Sequence, residues 1–127
     1  MAKTNGAPRI LLVDDERASR DIIGEILSLH GYEVDTADDG SGAMSLAEEN
    51  QYRLAILDYR MPGMNGVQLF EKIHQMQPGI VGIFLTGYPT VDTVFPAVQA
   101  GVSRVLAKPV DVHELLDVIS GSMESAD

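Results

Sequence analysis

The fold of this chain is indicated first by an apolar run that ends abruptly on a carboxylate. Residues 54–57 read Leu-Ala-Ile-Leu and are followed directly by Asp58. A strand without polar alternation is typical of a parallel sheet that is covered on both faces. The next residues include Met-Pro-Gly and Asn-Gly, which favour a loop. We therefore expect Asp58 at the carboxyl edge of a parallel sheet, where open α/β folds bind their ligands.

Other apolar runs of strand length alternate with segments whose apolar residues recur at helical spacing. Gly31 and the pair Asp39-Gly40 are stop or turn signals, and Asp111 with Glu114 forms a capping-box pattern before the last helix. Five strands, each followed by a helix, predict an α/β fold: a doubly wound, five-stranded parallel sheet with helices on both faces. The predicted strands are residues 10–13, 33–37, 54–58, 80–85 and 104–107, and the predicted helices are residues 17–30, a segment around 43–47, about 66–77, 90–100 and a helix after Asp111.

The chain is predicted to form one domain. Its 127 residues and 45% hydrophobic content are enough for a core without disulfides. No internal repeat or linker interrupts the pattern. We expect the core over about residues 9–120 and flexible tails at residues 1–8 and 121–127.

Composition excludes several classes of protein. The absence of cysteine rules out disulfides and thiolate metal sites. Nineteen acidic residues against nine basic ones, for a net charge of −10, disfavour direct binding to nucleic acid. No apolar window is long enough to span a bilayer. We therefore expect a soluble, cytoplasmic protein that binds neither nucleic acid nor membranes directly.

Polar residues stand at the ends of four of the five predicted strands. Asp14 and Asp15 follow the first, Asp58 ends the third, Thr86 follows the fourth and Lys108 follows the fifth. Because parallel strands place their carboxyl ends at one edge, these side chains are expected to meet. Carboxylates that meet repel one another unless they recruit a cation, and oxygen ligands favour Mg²⁺. Carboxylates, an ammonium group and a hydroxyl together suit a phosphoryl group.

In this order the motifs resemble those of the bacterial response-regulator receiver domain, the CheY-like phosphoacceptor module of two-component signalling. The resemblance covers about residues 9–120. It implies a flavodoxin-like sheet of strand order 2-1-3-4-5. It also implies that Asp58 accepts a phosphoryl group from a histidine kinase or a histidine phosphotransfer protein. The motifs that carry the resemblance are Asp14-Asp15, Asp58-Tyr-Arg-Met-Pro-Gly-Met-Asn-Gly, Thr86-Gly87 and Lys108-Pro109.

The same resemblance implies a Mg²⁺ site. Asp15, Asp58 and the backbone carbonyl of Arg60 would hold the ion directly, and Asp14 would act mainly through water. On this interpretation the chain is a signalling domain that assists its own phosphorylation and dephosphorylation, and it is not an enzyme with a separate substrate.

The resemblance further implies how the phosphoryl group is bound and reported. Lys108 would pair with the phosphoryl oxygens, and Thr86 would move toward them and signal to the surface near the fourth helix and fifth strand. The implied partners are the phosphoryl donor, an output domain or protein, and a second copy of the domain in a phosphorylation-dependent dimer. Residues 121–127 read like the beginning of a linker, which favours the amino-terminal receiver of a longer regulator over a single-domain one.

Each of these residues also has an ordinary structural interpretation. Asp14 and Asp15 can cap a helix, Asp58 can cap a loop, Lys108 can be a surface lysine, and Thr86 is a common kind of residue at a strand end. All of these interpretations would have to hold at four strand ends of one sheet edge, so we favour the functional one. The histidines His30, His74 and His113 are interpreted as structural or solvated, and methionines such as Met61 and Met64 as packing residues.

Three other classes of protein share parts of this pattern. A Mg²⁺-dependent aspartyl-phosphate phosphatase also has an aspartate nucleophile, but a second acid is expected two residues later, where this chain has Arg60. A flavodoxin-type electron carrier needs a phosphate loop after the first strand, where Asp14-Asp15-Glu16 would repel the phosphate. A degenerate receiver that serves only as a binding platform is disfavoured because the charged site residues are all present.

The switching region departs from the usual receiver pattern. Val105 stands where most receivers carry Tyr or Phe, and it is too short and stiff for an aromatic rotamer switch. Pro96 lies within the predicted fourth helix, which must begin late or be kinked. We therefore expect phosphorylation to order or shift residues 87–100. Arg60 and Tyr88 are expected to restrict water and so to slow autodephosphorylation.

Overall fold

The computed structural model describes residues 9–60, 65–87 and 89–125, with the backbone alone at residues 91, 92 and 123–125. Within these residues, strands and helices alternate along the chain. In order they are β1 (Arg9–Val13), α1 (Arg17–Leu29), β2 (Glu33–Ala37), α2 (Gly40–Glu49), β3 (Leu54–Asp58), α3 (Gly66–Met76), β4 (Val81–Thr86), α4 (Val91–Gln99), β5 (Arg104–Ala107) and α5 (Val112–Ser125). The bounds of β2, β3 and β5 agree with the sequence prediction.

The strands form one five-stranded parallel sheet in the order β2-β1-β3-β4-β5. β3 lies at the centre of the sheet, between β1 and β4, and all of its residues are buried. This arrangement confirms the predicted doubly wound, flavodoxin-like α/β fold. It also confirms that the strand which ends on Asp58 is covered on both faces.

Two apolar cores lie on opposite faces of the sheet, because the side chains of each strand alternate between the faces. Leu11, Leu57 and Phe84 face one core, with apolar side chains of α2 and α3. Leu12 and Ile56 face the other core, with apolar side chains of α1 and α5. Each of these side chains is fully buried, and burial of one such side chain stabilises the fold by about 1.5–3 kcal/mol. The central strands are therefore held firmly from both sides.

Helix α3 packs closely on β4 through a glycine. A Cβ atom placed on Gly82 would overlap the ring of Phe70. The ring of Phe70 also stands edge-on to the ring of Phe84, with 6.3 Å between the centroids. Gly82 is therefore a packing glycine, since its missing side chain leaves the space that Phe70 fills.

The amino ends of the strands carry a polar network, which we call the amino-edge network and define by Arg9, Asp35, Tyr52 and Gln77. Gln77 is 4% exposed, and its amide oxygen accepts from the backbone N–H of Tyr52 at 2.8 Å. The Gln77 amide nitrogen donates to two backbone carbonyls of the α2 end at 2.9 and 2.8 Å. The Tyr52 hydroxyl and the Arg9 guanidinium both donate to Oδ2 of Asp35, at 2.8 and 3.1 Å. The network ties α2, β1, β2 and the start of β3 together.

The strand register brings the predicted site residues level with one another. Asp58 pairs with Leu85 at the end of β3, and Thr86 pairs with Ala107 at the end of β4. Lys108 comes next after β5, and its backbone N–H donates to the carbonyl oxygen of Thr86 at 2.8 Å. The carboxyl ends of the strands therefore converge on one edge, as predicted.

Two neighbouring isoleucines of α1 differ in burial. Ile23 and Leu27 are buried, but Ile22 is 58% exposed, although the sequence pattern groups it with them. Ile22 and Ile23 are neighbours in sequence and point in directions about 100° apart on a helix, so only one of them can face the sheet fully.

The last two helices test the predicted helix ends. α4 spans Val91–Gln99, close to the predicted residues 90–100, and of the two alternatives given for Pro96 the late start is excluded because Pro96 lies inside the helix. Residues 121–125, which were expected in a flexible tail, continue α5 as far as Ser125. No helix in the part of the chain that the structure describes is long and apolar enough to cross a membrane.

Candidate functional site

Asp58 lies at the end of β3, and its carboxylate is almost completely buried. The residue is 7% exposed. Its Oδ1 accepts from the backbone N–H of Arg60 at 3.2 Å, and its Oδ2 lies 3.1 Å from Nζ of Lys108. Burial raises the pKa of Asp58, and the hydrogen bond and charge of Lys108 oppose that effect. One face of the carboxylate is thus fixed by two donors.

Asp14 and Asp15 bring two more carboxylates to the same place from the end of β1. Asp14 is fully buried and its Oδ1 accepts from the backbone N–H of Glu16 at 2.9 Å, whereas Asp15 is exposed. One carboxylate oxygen from each of Asp14, Asp15 and Asp58 lies within 4.8 Å of the other two. The three carboxylates that the sequence predicted to meet are therefore together.

Lys108 is the ammonium group of this cluster. Its Nζ lies 3.1 Å from Oδ2 of Asp58, 3.4 Å from Oδ2 of Asp14 and 3.9 Å from Oε1 of Glu16. Burial lowers the pKa of Lys108, but the hydrogen bond to Asp58 and the charge of Asp14 outweigh that effect, so the pKa is raised overall. Lys108 therefore stays charged, and its single positive charge faces the neighbouring Glu16 and two carboxylates of the triad, which consists of Asp14, Asp15 and Asp58.

Thr86 completes the set at the end of β4. It is 5% exposed, and its backbone carbonyl holds the N–H of Lys108. Thr86 and Lys108 are thus joined by a main-chain hydrogen bond. We refer to Asp14, Asp15, Asp58, Thr86 and Lys108 together as the carboxyl-edge site.

The structure adds Arg20, which the sequence reasoning missed. Its Nη1 donates to the backbone carbonyl of Asp14 at 2.8 Å, so α1 braces the end of β1. Cations are disfavoured near the amino end of a helix by the helix dipole. Arg17 at the start of the same helix is also basic but pairs with the exposed Asp21, so a basic residue here does not by itself indicate the tertiary contact that Arg20 makes.

Several predicted features fall on parts of the chain that the structure does not describe. Met61 and Met64 and the whole of residues 61–64 are outside the described residues, as is Tyr88. Arg60 is described, and its N–H binds Asp58. Its carbonyl as a metal ligand stays a prediction.

The donor set of the carboxyl-edge site fits a hard divalent cation. The converging groups Asp14, Asp15 and Asp58 offer carboxylate oxygens only, which is the ligand type that Mg²⁺ and Ca²⁺ prefer. The exposed Asp15 leaves one side of the cluster open to water, as Mg²⁺ requires because it usually keeps several of its waters. The three carboxylates can therefore hold a divalent metal ion beside Lys108.

Comparison with known proteins points to one family. The sequence model of the response regulator receiver domain matches residues 10–120. The transcriptional regulatory protein GlrR of Escherichia coli is 36% identical to this chain over 117 residues, which is 92% of this chain and 26% of GlrR. The chain thus matches only 26% of the length of that relative.

Solved structures agree with the sequence comparison. A CheY-like response regulator receiver domain protein from Methanospirillum hungatei has a TM-score of 0.91 and 33% identity, over 95% of this chain and 97% of that one. A response regulator from Burkholderia pseudomallei, with a phosphorylated aspartic acid and a calcium ion, has a TM-score of 0.81 and 28% identity, over 86% of this chain and 64% of that one.

Proposed function

Because the chain belongs to the response regulator receiver domain family, we propose that Asp58 accepts a phosphoryl group from the phosphohistidine of a histidine kinase or of a histidine phosphotransfer protein. The chain is a receiver domain, and receiver domains are signalling modules of two-component regulators. The observation that carries the assignment to Asp58 is its contact with Lys108 at 3.1 Å inside a triad of carboxylates.

The other carboxylates of the triad are less suited to be the acceptor. Asp14 is fully buried, whereas Asp58 retains some exposure through which a phosphoryl donor can approach. Asp15 is exposed and has no part in the Lys108 contacts. Asp58 combines a nearly buried carboxylate with a cation beside it, which is the arrangement that stabilises charge on a transferring phosphoryl group.

The proposed transfer forms one bond and breaks one. A carboxylate oxygen of Asp58 attacks phosphorus, the P–N bond of the phosphohistidine breaks, and its electron pair returns to the imidazole nitrogen. Lys108 pairs with the negative phosphoryl oxygens, and the Thr86 hydroxyl is the further donor on the same edge. The imidazole leaves as a neutral ring when its other nitrogen carries a proton, and no atom changes oxidation state, so the step needs no oxidant or reductant.

We further propose Mg²⁺ as the cofactor, held directly by Asp15, Asp58 and the backbone carbonyl of Arg60, with Asp14 acting mainly through water. When bound, Mg²⁺ would supply Lewis-acid neutralisation of the phosphoryl oxygens. The full burial and existing hydrogen bonds of Asp14 support an indirect role for it. The calcium ion and phosphorylated aspartic acid of the Burkholderia pseudomallei relative support the pairing of a hard cation with an aspartyl phosphate.

The proposed output is a change at the surface near α4 and β5 that controls an output domain or protein, or a phosphorylation-dependent dimer. Thr86 would move toward the phosphoryl group, and Val105 would not serve as an aromatic switch. The described part of the switching segment, residues 89–100, contains Pro96 inside α4. The lost hydrogen bond there supports a helix that shifts at low cost.

The test is phosphorylation by a small-molecule donor, followed by intact mass. With acetyl phosphate or phosphoramidate and Mg²⁺, the wild type should gain one phosphoryl group, and Asp58→Asn should gain none. EDTA should prevent the gain, and Ca²⁺ in place of Mg²⁺ separates a general cation requirement from a specific one. A gain that persists in Asp58→Asn would falsify the acceptor, and a gain that proceeds unchanged in EDTA would remove the metal from the proposal.

A further inference from the structure

The first residue of α3 lies against the main chain at the end of β3. Gly66 is buried, and a Cβ atom placed on it would lie 2.9 Å from the carbonyl oxygen of Asp58 and 3.2 Å from Cα of Tyr59. A carbon atom cannot approach a backbone oxygen so closely without displacing it. Any side chain at Gly66 must therefore move either α3 or the Asp58 main chain.

The backbone conformation does not explain this glycine. Among the glycines that the structure describes, Gly31 and Gly101 are those with positive φ, so Gly66 has a conformation that other residues adopt easily. Residues with side chains are also the better helix formers. The lack of space in front of Asp58 is thus the reason for glycine at this position.

Hydrogen bonds hold the first turn of α3 in place beside the end of β3. Its N–H donates to the carbonyl oxygen of Tyr59 at 2.9 Å, which joins α3 directly to the residue after Asp58. The preceding Asn65 forms a capping box with Gln68: its side chain accepts from the Gln68 N–H at 2.9 Å, and its own N–H donates to the Gln68 side chain at 3.3 Å. The first turn of α3 is therefore held in place and limits how far the main chain of Asp58 can move toward it.

We infer that Gly66 is a positioning residue of the carboxyl-edge site: its missing side chain lets the start of α3 set the backbone of Asp58, and so the distance from the carboxylate to Lys108. The inference rests on the proposed role of Asp58 as the acceptor. Gly66 does not touch the phosphoryl group and acts through Asp58 alone. A shift of the reacting carboxylate by a fraction of an ångström is enough to slow a transfer that depends on alignment.

The test is Gly66→Ala, compared with two other glycine variants. Gly82→Ala places a Cβ atom against the ring of Phe70, which lies in α3 four residues after Gly66, and so tests whether any pressure on α3 slows the transfer or only a side chain placed against Asp58. Gly24→Ala lies in α1, where a Cβ atom has ordinary contacts of 3.8 and 3.9 Å, and it controls for the change from glycine to alanine itself. All of these proteins are measured at a temperature at which circular dichroism and thermal melts show them folded.

Two readouts separate positioning from stability. Phosphorylation by phosphoramidate should be slowed ~10- to 100-fold in Gly66→Ala, and should stay within about twofold of the wild type in Gly82→Ala and Gly24→Ala. The ¹H–¹⁵N signals of Asp58, Tyr59 and Arg60, recorded without metal, should shift in Gly66→Ala and stay in place in the other two. A wild-type rate in Gly66→Ala, or an equal loss of rate in folded Gly82→Ala, would overturn the inference.

A second pair of variants decides the matter if Gly66→Ala does not fold. Asn65→Ala removes the capping box and loosens the first turn of α3 without a clash, whereas Asn65→Ser keeps a capping oxygen. We expect a several-fold slower phosphorylation in Asn65→Ala and recovery in Asn65→Ser. Equal wild-type rates in both would overturn the inference.

The metal-free spectra also distinguish this inference from the proposed function. If the wild type takes up no phosphoryl group but Gly66→Ala still shifts the signals of Asp58 and Tyr59, the acceptor role of Asp58 falls and the steric control by Gly66 stands. If the wild type is phosphorylated on Asp58 and Gly66→Ala leaves both rate and signals unchanged, the acceptor role stands and the control by Gly66 falls.

Discussion

The amino-edge network and the carboxyl-edge site lie at opposite ends of the same parallel strands, and both bury polar groups. In the described part of the chain, no buried side-chain nitrogen or oxygen lacks a hydrogen-bond partner, so the two regions do not differ in satisfied bonds. They differ in charge. At the amino edge, Arg9 faces Asp35, and the central residue, Gln77, is neutral. At the carboxyl edge, three carboxylates converge, and the single ammonium of Lys108 pairs with two of them, Asp14 and Asp58.

This difference indicates that the amino-edge network contributes mainly to stability and that the carboxyl-edge site is suited to bind a ligand. A network whose charges balance and whose hydrogen bonds are all made stabilises the fold and gains nothing from a ligand. A cluster with unbalanced negative charge destabilises the unliganded fold and gains from a cation. Substitutions at the carboxyl edge should therefore lower activity without lowering stability. Substitutions at the amino edge should lower stability without lowering activity.

The largest effect is expected from Asp15→Asn at the carboxyl edge. Phosphorylation by a small-molecule donor should slow by at least ~100-fold, because charge stabilisation at a metal-assisted phosphoryl site is worth several kcal/mol. The free energy of unfolding should stay the same or rise, since the substitution relieves repulsion in the triad. Intact mass spectrometry gives the rate, and urea unfolding without Mg²⁺ gives the stability. A marked loss of stability would show that the two edges are not as different as their charges indicate.

At the amino edge, Gln77→Ala should have the reverse signature. The substitution leaves a backbone N–H and two carbonyls without the amide that binds them, at a cost of roughly 2–4 kcal/mol of unfolding free energy. The rate of phosphorylation of the folded protein should not change. Gln75→Ala is the matched control, because Gln75 is exposed in the last turn of α3, two residues before Gln77, and its truncation should cost less than about 0.5 kcal/mol. Similar stability losses in both variants would contradict the structural role of Gln77.

A smaller effect, with a pH dependence, is expected from Tyr52→Phe. Loss of the hydroxyl bond to Asp35 should cost about 1 kcal/mol at neutral pH. Burial and the bond to Asp35 raise the pKa of Tyr52 above its ordinary value of 10.0. Above pH 10 the unfolded chain therefore releases the proton while the native protein keeps it, and stability falls as the pH rises.

The comparison of wild type and Tyr52→Phe isolates that proton. The wild type should lose stability above about pH 10 more steeply than the variant, by at most ~1.4 kcal/mol per pH unit. Urea unfolding at a series of pH values measures both curves. If the two curves stay parallel from neutral to strongly alkaline pH, the hydroxyl does not bind as the structure has it.

The smallest effect is expected from Glu16→Gln, which removes one negative charge beside the carboxyl-edge site. Glu16 is exposed and its Oε1 lies 3.9 Å from Nζ of Lys108, and ion pairs of this kind contribute little. Phosphorylation rate and Mg²⁺ half-saturation should change by less than about twofold. Since Asp15→Asn removes the same charge, a large effect of Glu16→Gln would mean that total charge governs the site and the placement of each carboxylate matters less.

The sequence alone was sufficient for the fold and for the meeting of the charged residues. Apolar runs and turn residues are local signals, and a parallel sheet places the carboxyl ends of its strands at one edge wherever the intervening helices lie. The contact of Asp58 with Lys108, and the position of Asp14 beside them, follow from that topology. The strand order itself was expected from the family resemblance and is confirmed.

What the sequence could not supply depends on distances between separate segments. Helical spacing does not decide between Ile22 and Ile23 as the buried residue, because both belong to the apolar side of α1. Helical spacing gave the bounds of α4 closely, but it did not decide whether Pro96 would delay the start of the helix or lie inside it, as it does in a helix that begins at Val91. Arg20 and Gly66 acquire their roles from contacts with Asp14 and Asp58 across the fold.

The order of the strands has a further consequence for how the protein resists aggregation. β2 is an edge strand of the sheet, and an unpaired edge can template pairing with a strand of another molecule. Along β2, Glu33 and Asp35 place carboxylates on this edge, and a second copy that paired there edge to edge would bring its own carboxylates close to them. The acids that bind Arg9 in the native fold would therefore repel the like charges of a second β2 edge, which disfavours edge-to-edge pairing.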